Sequence, residues 1–169
     1  MNDPARTFGI LIAYILPGFV MLWAIAQVSP VLEVWLTGTE VATPVLGGVV
    51  YVTAASIIVG MTLNSIRWLL IDSLHHMSGL RKPVLDDAKL QTNLEAFTRL
   101  VEDHFRYHQF YANTALAVVF GYPIWRSSES WFEQPIFFDV GIVILVFILV
   151  LSSRDALSRY YSRSEQLLG

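Results

Sequence analysis

Residues 64–113, NSIRWLLIDSLHHMSGLRKPVLDDAKLQTNLEAFTRLVEDHFRYHQFYAN, decide the fold of this chain. The stretch holds all four histidines and six of the eleven basic residues, whereas the sequence on either side is almost continuously apolar. We therefore predict a water-facing helical hairpin over residues 67–106, carried by membrane-spanning helices. Its turn contains Gly79 and Pro83, and its second helix starts at the acidic pair Asp86 and Asp87.

The composition favours lipid as the solvent for the rest of the chain. Of the 169 residues, 54% are hydrophobic and 15% are charged. A soluble domain carries roughly 25% charged residues, so this chain lacks the polar surface that water requires. The net charge of −3 argues against a nucleic-acid partner. The absence of cysteine excludes disulfides, thiolate metal sites and cysteine nucleophiles.

Four segments have few or no charges and approach the ~20 residues that a bilayer crossing requires. These predicted spans are residues 8–28, 42–66, 107–125 and 136–152. The predicted fold is an all-α integral membrane protein with four transmembrane helices, the second and third extended into the cytoplasmic hairpin. Residues 153–169 follow as a basic juxtamembrane tail.

The first predicted span contains Pro17 and Gly18 at its middle, where we expect a kink. A re-entrant loop is an alternative, because the pair could also end a helix. A second alternative is a cleaved signal peptide, since Ala24 and Ala26 have the small-x-small form of a peptidase site.

The basic residues are distributed unequally between the two sides of the predicted bundle. The side with both termini and the hairpin holds ten Lys and Arg residues, and the other side holds Arg126 alone. This bias predicts that both termini lie in the cytoplasm, in a membrane that we expect to be the bacterial cytoplasmic (inner) membrane.

Small and polar residues repeat at helical spacing along the second and third spans, which indicates faces that contact protein rather than lipid. These candidates for helix packing or for lining a pore are Thr53, Ser56, Gly60, Asn64, Arg67, Asn113, Ala117 and Gly121. Two such ridges exceed what one four-helix bundle needs, so we expect self-association.

The histidines suggest a metal site. Asp72 and His75 share one helix face, as do His104 and His108, and the hairpin could bring the two pairs together. A carboxylate and three imidazoles would suit zinc, iron or manganese. The alternative is that these histidines are structural and form hydrogen bonds within a packed hairpin.

These features predict a homo-oligomeric, multi-pass membrane protein that forms a pore or transmits a signal. Its cytoplasmic hairpin would bind a protein partner or a ligand. A membrane-bound metalloenzyme using the histidine site is one alternative, and a non-conducting assembly subunit is another. We predict no catalytic residue and no cofactor other than that metal, because catalytic triads, phosphate loops and dinucleotide fingerprints are absent from the sequence.

Overall fold

The computed structural model describes residues 8–9, 11–37, 45–128 and 135–169, and every regular element among them is a helix. The prediction of an all-α fold is confirmed. In chain order the helices are α1 (Leu11–Ala26), α2 (Pro30–Thr37), α3 (residues 45–77), α4 (Asp87–Thr92), α5 (residues 94–128) and α6 (Ile136–Leu168). Residue 10 of the first predicted span, residues 42–44 of the second and Arg6 lie outside the described residues.

Three of these helices contain a wide, π-helical turn, in which hydrogen bonds run from residue i to residue i+5. The wide turns are Leu11–Ile15 at the start of α1, Trp68–Asp72 in α3 and Val101–Phe105 in α5. In α3 and α5, regular α-helix flanks the wide turn on both sides. A wide turn rotates the residues that follow it relative to an ideal α-helix, so faces deduced from a period of 3.6 do not continue across it.

Helices α1 and α3 cross so closely that their backbones are in contact. A Cβ atom added to Gly18 would lie 1.8 Å from the Ser56 carbonyl oxygen, and one added to Gly60 would lie 2.0 Å from the Tyr14 carbonyl oxygen. Only glycine permits this approach. Because residue numbers rise along α1 as they fall along α3, the two helices are antiparallel. Helix α1 continues through Pro17, immediately after its wide turn.

Helix α5 runs parallel to α1 and antiparallel to α6. Its Gln109 contacts Tyr14 of α1, and its Gly121 contacts Ala24 further along the same helix. On its other side, His108 contacts Ser153 of α6, and Tyr122 donates a hydrogen bond to Asp139 near the start of α6. These contacts give α1, α3, α5 and α6 an up-down-up-down arrangement.

Two of the described helices are long and apolar enough to cross a membrane, judged by length and composition: Gly48–Met77 within α3, and α6. Large apolar side chains on the outer surface of α6 are exposed, including Phe137 at 71% and Phe147 at 63%. Lipid, rather than water, is the medium that suits such a surface.

Residues 78–86 separate two helical segments within the predicted hairpin. Helix α3 ends at Met77, Gly79 follows with φ +94°, and Asp86 caps α4 by accepting a hydrogen bond from the Ala88 amide at 2.9 Å. The second arm is not one continuous helix, because the backbone leaves helical geometry at Asn93 between α4 and α5.

Residues 153–169 continue α6 as helix and pack against both arms of the hairpin. The ring of Tyr161 stacks on His76 of α3, with ring centres 6.1 Å apart. The ring of Tyr160 contacts Phe97 of α5 at 6.3 Å. The Asp86 amide donates a 2.8 Å hydrogen bond to the Leu168 carbonyl. The carboxyl-terminal part of α6 thus joins the two arms.

Candidate functional site

Five polar side chains from α3, α5 and α6 meet inside the bundle, next to the wide turns of α3 and α5. We call this group the polar cluster; it consists of Arg67, Asp72, His75, His108 and Ser153. Each member is at most 9% exposed. Buried polar groups are costly unless their hydrogen bonds are satisfied, so the contacts within the group decide what it can do.

Arg67 and Asp72 form the ionic centre of the polar cluster. The Arg67 Nη1 atom lies 2.8 Å from Asp72 Oδ1 and 2.9 Å from Asp72 Oδ2. The wide turn Trp68–Asp72 lies between the two residues and brings them onto one face. Phe105 covers the guanidinium, with its ring centre 5.9 Å from the Arg67 Cζ atom.

His108 connects this ion pair to α6. Its Nε2 atom lies 2.6 Å from Arg67 Nη1 and 3.1 Å from Asp72 Oδ1. Its Nδ1 atom lies 2.9 Å from Ser153 Oγ and 3.1 Å from the Ser153 carbonyl oxygen. Because a guanidinium can only donate, Nε2 of His108 accepts in the contact with Arg67, and the ring proton is on Nδ1. The 3.1 Å approach of Nε2 to Asp72 Oδ1 is then not a hydrogen bond.

Ser153 passes the connection on to His75. The Ser153 Oγ atom lies 3.1 Å from His75 Nε2, and the rings of His75 and His108 are 5.9 Å apart. One consistent set of donors runs from Arg67 to His108, from His108 Nδ1 to Ser153 Oγ, and from the Ser153 hydroxyl to His75. The hydroxyl of Ser153 is therefore the link between the two imidazoles.

A second branch extends from the polar cluster to α1. The Nε atom of Arg67 donates to Asn64 Oδ1 at 3.2 Å, and Gln109 Nε2 donates to the same oxygen at 3.2 Å. Gln109 also donates to the Tyr14 hydroxyl at 3.2 Å, and Arg106 donates to that hydroxyl at 3.3 Å. Hydrogen bonds thus connect α6, α5, α3 and α1 at one level of the bundle.

The predicted packing residues lie mostly inside the chain's own bundle. Ser56 and Gly60 contact α1, as does Gly121. Asn113 is fully buried and donates a 2.8 Å hydrogen bond to the Ala13 carbonyl in the wide turn of α1. Ala117 is buried in the apolar core, and Thr53 is exposed. Arg67 belongs to the polar cluster, and Asn64 belongs to the branch that leads to α1.

The structure separates the residues of the predicted metal site. Asp72, His75 and His108 belong to the polar cluster, where His75 joins through Ser153 and Arg67 occupies the space beside the carboxylate. His104 lies apart, in a groove between α5 and α6. Within the described ranges, no group of three or more His, Cys, Asp or Glu side chains is placed to hold a metal ion. His75 and His108 instead contact Ser153 of α6, which lies outside the predicted hairpin.

His104 and His108 of α5 are near different residues of α6. His108 contacts Ser153, whereas His104 lines the groove with Asp155 and Arg159. Sequence reasoning also omitted Ser153 and Tyr14 from the site. The signal for Ser153 was available, because it follows a long aliphatic run and directly precedes Arg154.

Comparison of this chain with protein-family models, with curated proteins and with solved structures found no match. The fold and its apolar surface define the described part of the chain as all-helical, with two helices in that part suited by length and composition to crossing a membrane.

Proposed function

We propose that this chain is a four-span protein of the bacterial cytoplasmic membrane that transmits a signal between its spans and its cytoplasmic helices. The single observation that carries the proposal is a hydrogen-bonded path that joins α6, α5, α3 and α1. It runs through Ser153, His108, Arg67, Asn64, Gln109 and Tyr14. A binding event that moved the cytoplasmic helices would act on this path directly.

The packing supports two more spans beside the two long apolar helices. Helix α1 crosses α3 at Gly18 of α1 and Gly60 of α3, and Gly60 lies well within the candidate span Gly48–Met77. Helix α5 contacts α6 at both Asp139 and Ser153, so it accompanies the whole uncharged part of α6. Helices that lie alongside a spanning helix at matching levels must share its medium.

The orientation follows from charge. Under this proposal the polar cluster lies at the cytoplasmic edge of the bilayer, because Ser153 precedes Arg154 at the end of the uncharged part of α6. Ten of the eleven basic residues fall on that side, which favours a cytoplasmic location for the hairpin and both termini.

The contacts favour signal transmission over the formation of a pore. The polar residues of α3 that could have lined a pore, Asn64, Arg67 and His75, instead bond to other helices of the same chain. The small-residue ridges of α3 and α5 contact α1, so self-association and binding of a cytoplasmic partner stay predictions with no support from these surfaces.

A cross-link tests transmission, and the chain is suited to it because it contains no cysteine. In the double variant Phe97→Cys/Tyr160→Cys, made where the two ring centres lie 6.3 Å apart, a bifunctional thiol reagent joins α5 to α6 in the cytoplasmic part. In lipid nanodiscs, we expect this cross-link to slow hydrogen exchange in the wide turn of α1 (Leu11–Ile15). Adding Ser153→Ala should abolish that effect.

The control is a cross-link within one exposed helix face, Glu95→Cys/Arg99→Cys, which does not join two helices. Unchanged exchange in α1 after the Phe97–Tyr160 cross-link would contradict transmission. An equal effect in the presence of Ser153→Ala would contradict the path. If neither the Phe97–Tyr160 cross-link nor Ser153→Ala changes hydrogen exchange in α1, and the protein carries no ion flux in liposomes, the chain would be an assembly subunit.

A further inference from the structure

A groove of about 580 Å³ lies between α5 and α6, and none of its lining residues belongs to the polar cluster. Its walls include Tyr107 and Tyr111 from α5, and Leu151 and Arg159 from α6. Leu151 belongs to the exposed apolar part of α6, whereas Arg159 lies two helical turns further toward the carboxyl terminus. The groove therefore extends from an apolar surface into a charged one.

The charged end of the groove carries both signs. Arg159 supplies a guanidinium and is paired with Asp155 at 3.0 Å, while both side chains remain more than 60% exposed. Asp103 supplies a second carboxylate from α5. Exposed ion pairs of this kind contribute little to folding stability, so their charges are free to exchange partners with a ligand.

His104 adds an imidazole to the same wall. Its Nε2 atom is buried and has no hydrogen-bond partner among the residues that the structure describes. Burial, together with the nearby charges of Arg163 and Arg159, lowers the pKa of His104 below its ordinary value. The ring is therefore neutral near pH 7 and offers a hydrogen bond rather than a charge.

We propose that this groove binds a phospholipid whose headgroup carries both a phosphate and a primary amine. Arg159 would bind the phosphate, since a guanidinium matches its geometry, and Asp103 and Asp155 would accept from the ammonium group. Tyr107 and Tyr111 lie where aromatic residues meet the headgroup level, and Leu151 offers the acyl chains an apolar surface. The inference rests on the proposed insertion of α5 and α6 into a bilayer.

A lipid, rather than a free phosphoamine, is the occupant that the walls favour. A soluble ligand would use only the charged end and would leave the apolar end, with Leu151, in water. A purely anionic lipid would use Arg159 but would face Asp103 and Asp155 at close range, which is unfavourable. The mixture of charges thus selects a zwitterion with a small cationic group.

Native mass spectrometry of the full chain, released from micelles containing equal amounts of phosphatidylethanolamine, phosphatidylcholine and phosphatidylglycerol, tests the proposal. We expect phosphatidylethanolamine to be retained preferentially. Arg159→Gln and Asp103→Asn should each reduce its retention about tenfold, the loss typical of one charge-assisted hydrogen bond. The matched control is Arg99→Gln, which removes an exposed, paired arginine elsewhere on α5 and should leave retention unchanged.

Equal retention of the three lipids, or the same selectivity in Arg159→Gln and Asp103→Asn, would overturn the proposal. Displacement of the lipid by an equal concentration of soluble phosphoethanolamine would overturn the choice of a lipid. Labelling of single cysteines at positions 143 and 159 in proteoliposomes separates this inference from the proposed function. A cysteine at position 143 that is protected from labelling, together with one at 159 that is labelled, supports insertion of α6 into the bilayer. If the protein then shows no preference among the three lipids, the headgroup site alone is wrong.

Discussion

Arg67 and Asp72 are five residues apart on α3, yet two hydrogen bonds join the guanidinium Nη1 atom to both carboxylate oxygens, at 2.8 and 2.9 Å. On an ideal α-helix, side chains five residues apart would point about 140° away from each other. The wide turn Trp68–Asp72 brings them together and places both against His108. The wide turn in α3 and the buried ion pair between Arg67 and Asp72 therefore depend on each other.

The ion pair gives the first prediction. Arg67→Ala leaves Asp72 as a buried, uncompensated carboxylate, and we expect it to reduce the free energy of unfolding by about 3–5 kcal/mol. The double variant Arg67→Met/Asp72→Leu removes both charges and should be less destabilised than Arg67→Ala. Unfolding of each variant in detergent micelles, followed by circular dichroism, measures the difference.

Arg99→Ala is the control for this cycle, because Arg99 forms an exposed ion pair with Glu95 on α5. Such pairs contribute roughly 0–1 kcal/mol. If the double variant were at least as unstable as Arg67→Ala, the charges themselves would be stabilising, contrary to this prediction.

The second prediction concerns the crossing of α1 and α3. Gly18→Ala and Gly60→Ala each place a methyl group within about 2 Å of a carbonyl oxygen on the other helix, so the helices must separate. We expect a lower midpoint temperature of unfolding for both. Gly141→Ala is the matched control, since a Cβ there meets nothing within 4 Å, and the higher helix propensity of alanine should leave α6 unchanged or more stable. Equal midpoints for Gly60→Ala and Gly141→Ala would refute the close crossing.

The third prediction concerns Asn113, which is fully buried on α5. Its amide donates to the Ala13 carbonyl at 2.8 Å, within the wide turn of α1. Asn113→Ala leaves that carbonyl without this donor, and we expect a loss of about 1–3 kcal/mol in unfolding free energy. Thr62→Ala removes an exposed side chain on α3 and should change stability by less than about 0.5 kcal/mol. Faster hydrogen exchange in Leu11–Ile15 should accompany the first substitution and not the second.

The fourth prediction concerns pH. Burial and Arg163 lower the pKa of His104 in the folded protein, so the unfolded chain binds more protons at this position. Stability should therefore fall as the pH drops below the unfolded value of about 6.5. His104→Gln should show a smaller loss of unfolding midpoint between about pH 8 and pH 5, and Arg163→Gln should also reduce the loss because it removes a repelling cation. An identical pH profile for wild type and His104→Gln would exclude this contribution.

How far the site could be predicted is clear from the histidines. The sequence placed a helix start at the acidic pair Asp86 and Asp87, where the structure also has it, because capping is a local property. It grouped His104 with His108, but only His108 contacts Ser153, because the packing of α5 against α6 decides which side chains meet. The three wide turns form where neighbouring helices meet buried polar groups, and no local pattern of residues predicts them.

What the sequence by itself determined is the all-helical class and the concentration of positive charge in residues 64–113, since composition and periodicity fix these properties. Of the four predicted spans, two correspond to described helices that are long and apolar enough to cross a membrane. The tertiary structure alone decided that Ser153 joins His108 to His75, that Arg67 pairs with Asp72 on its own helix, and that residues 153–169 pack against the hairpin. The physical reason is that each of these contacts depends on the relative rotation of packed helices, which the wide turns and the close glycine crossing set.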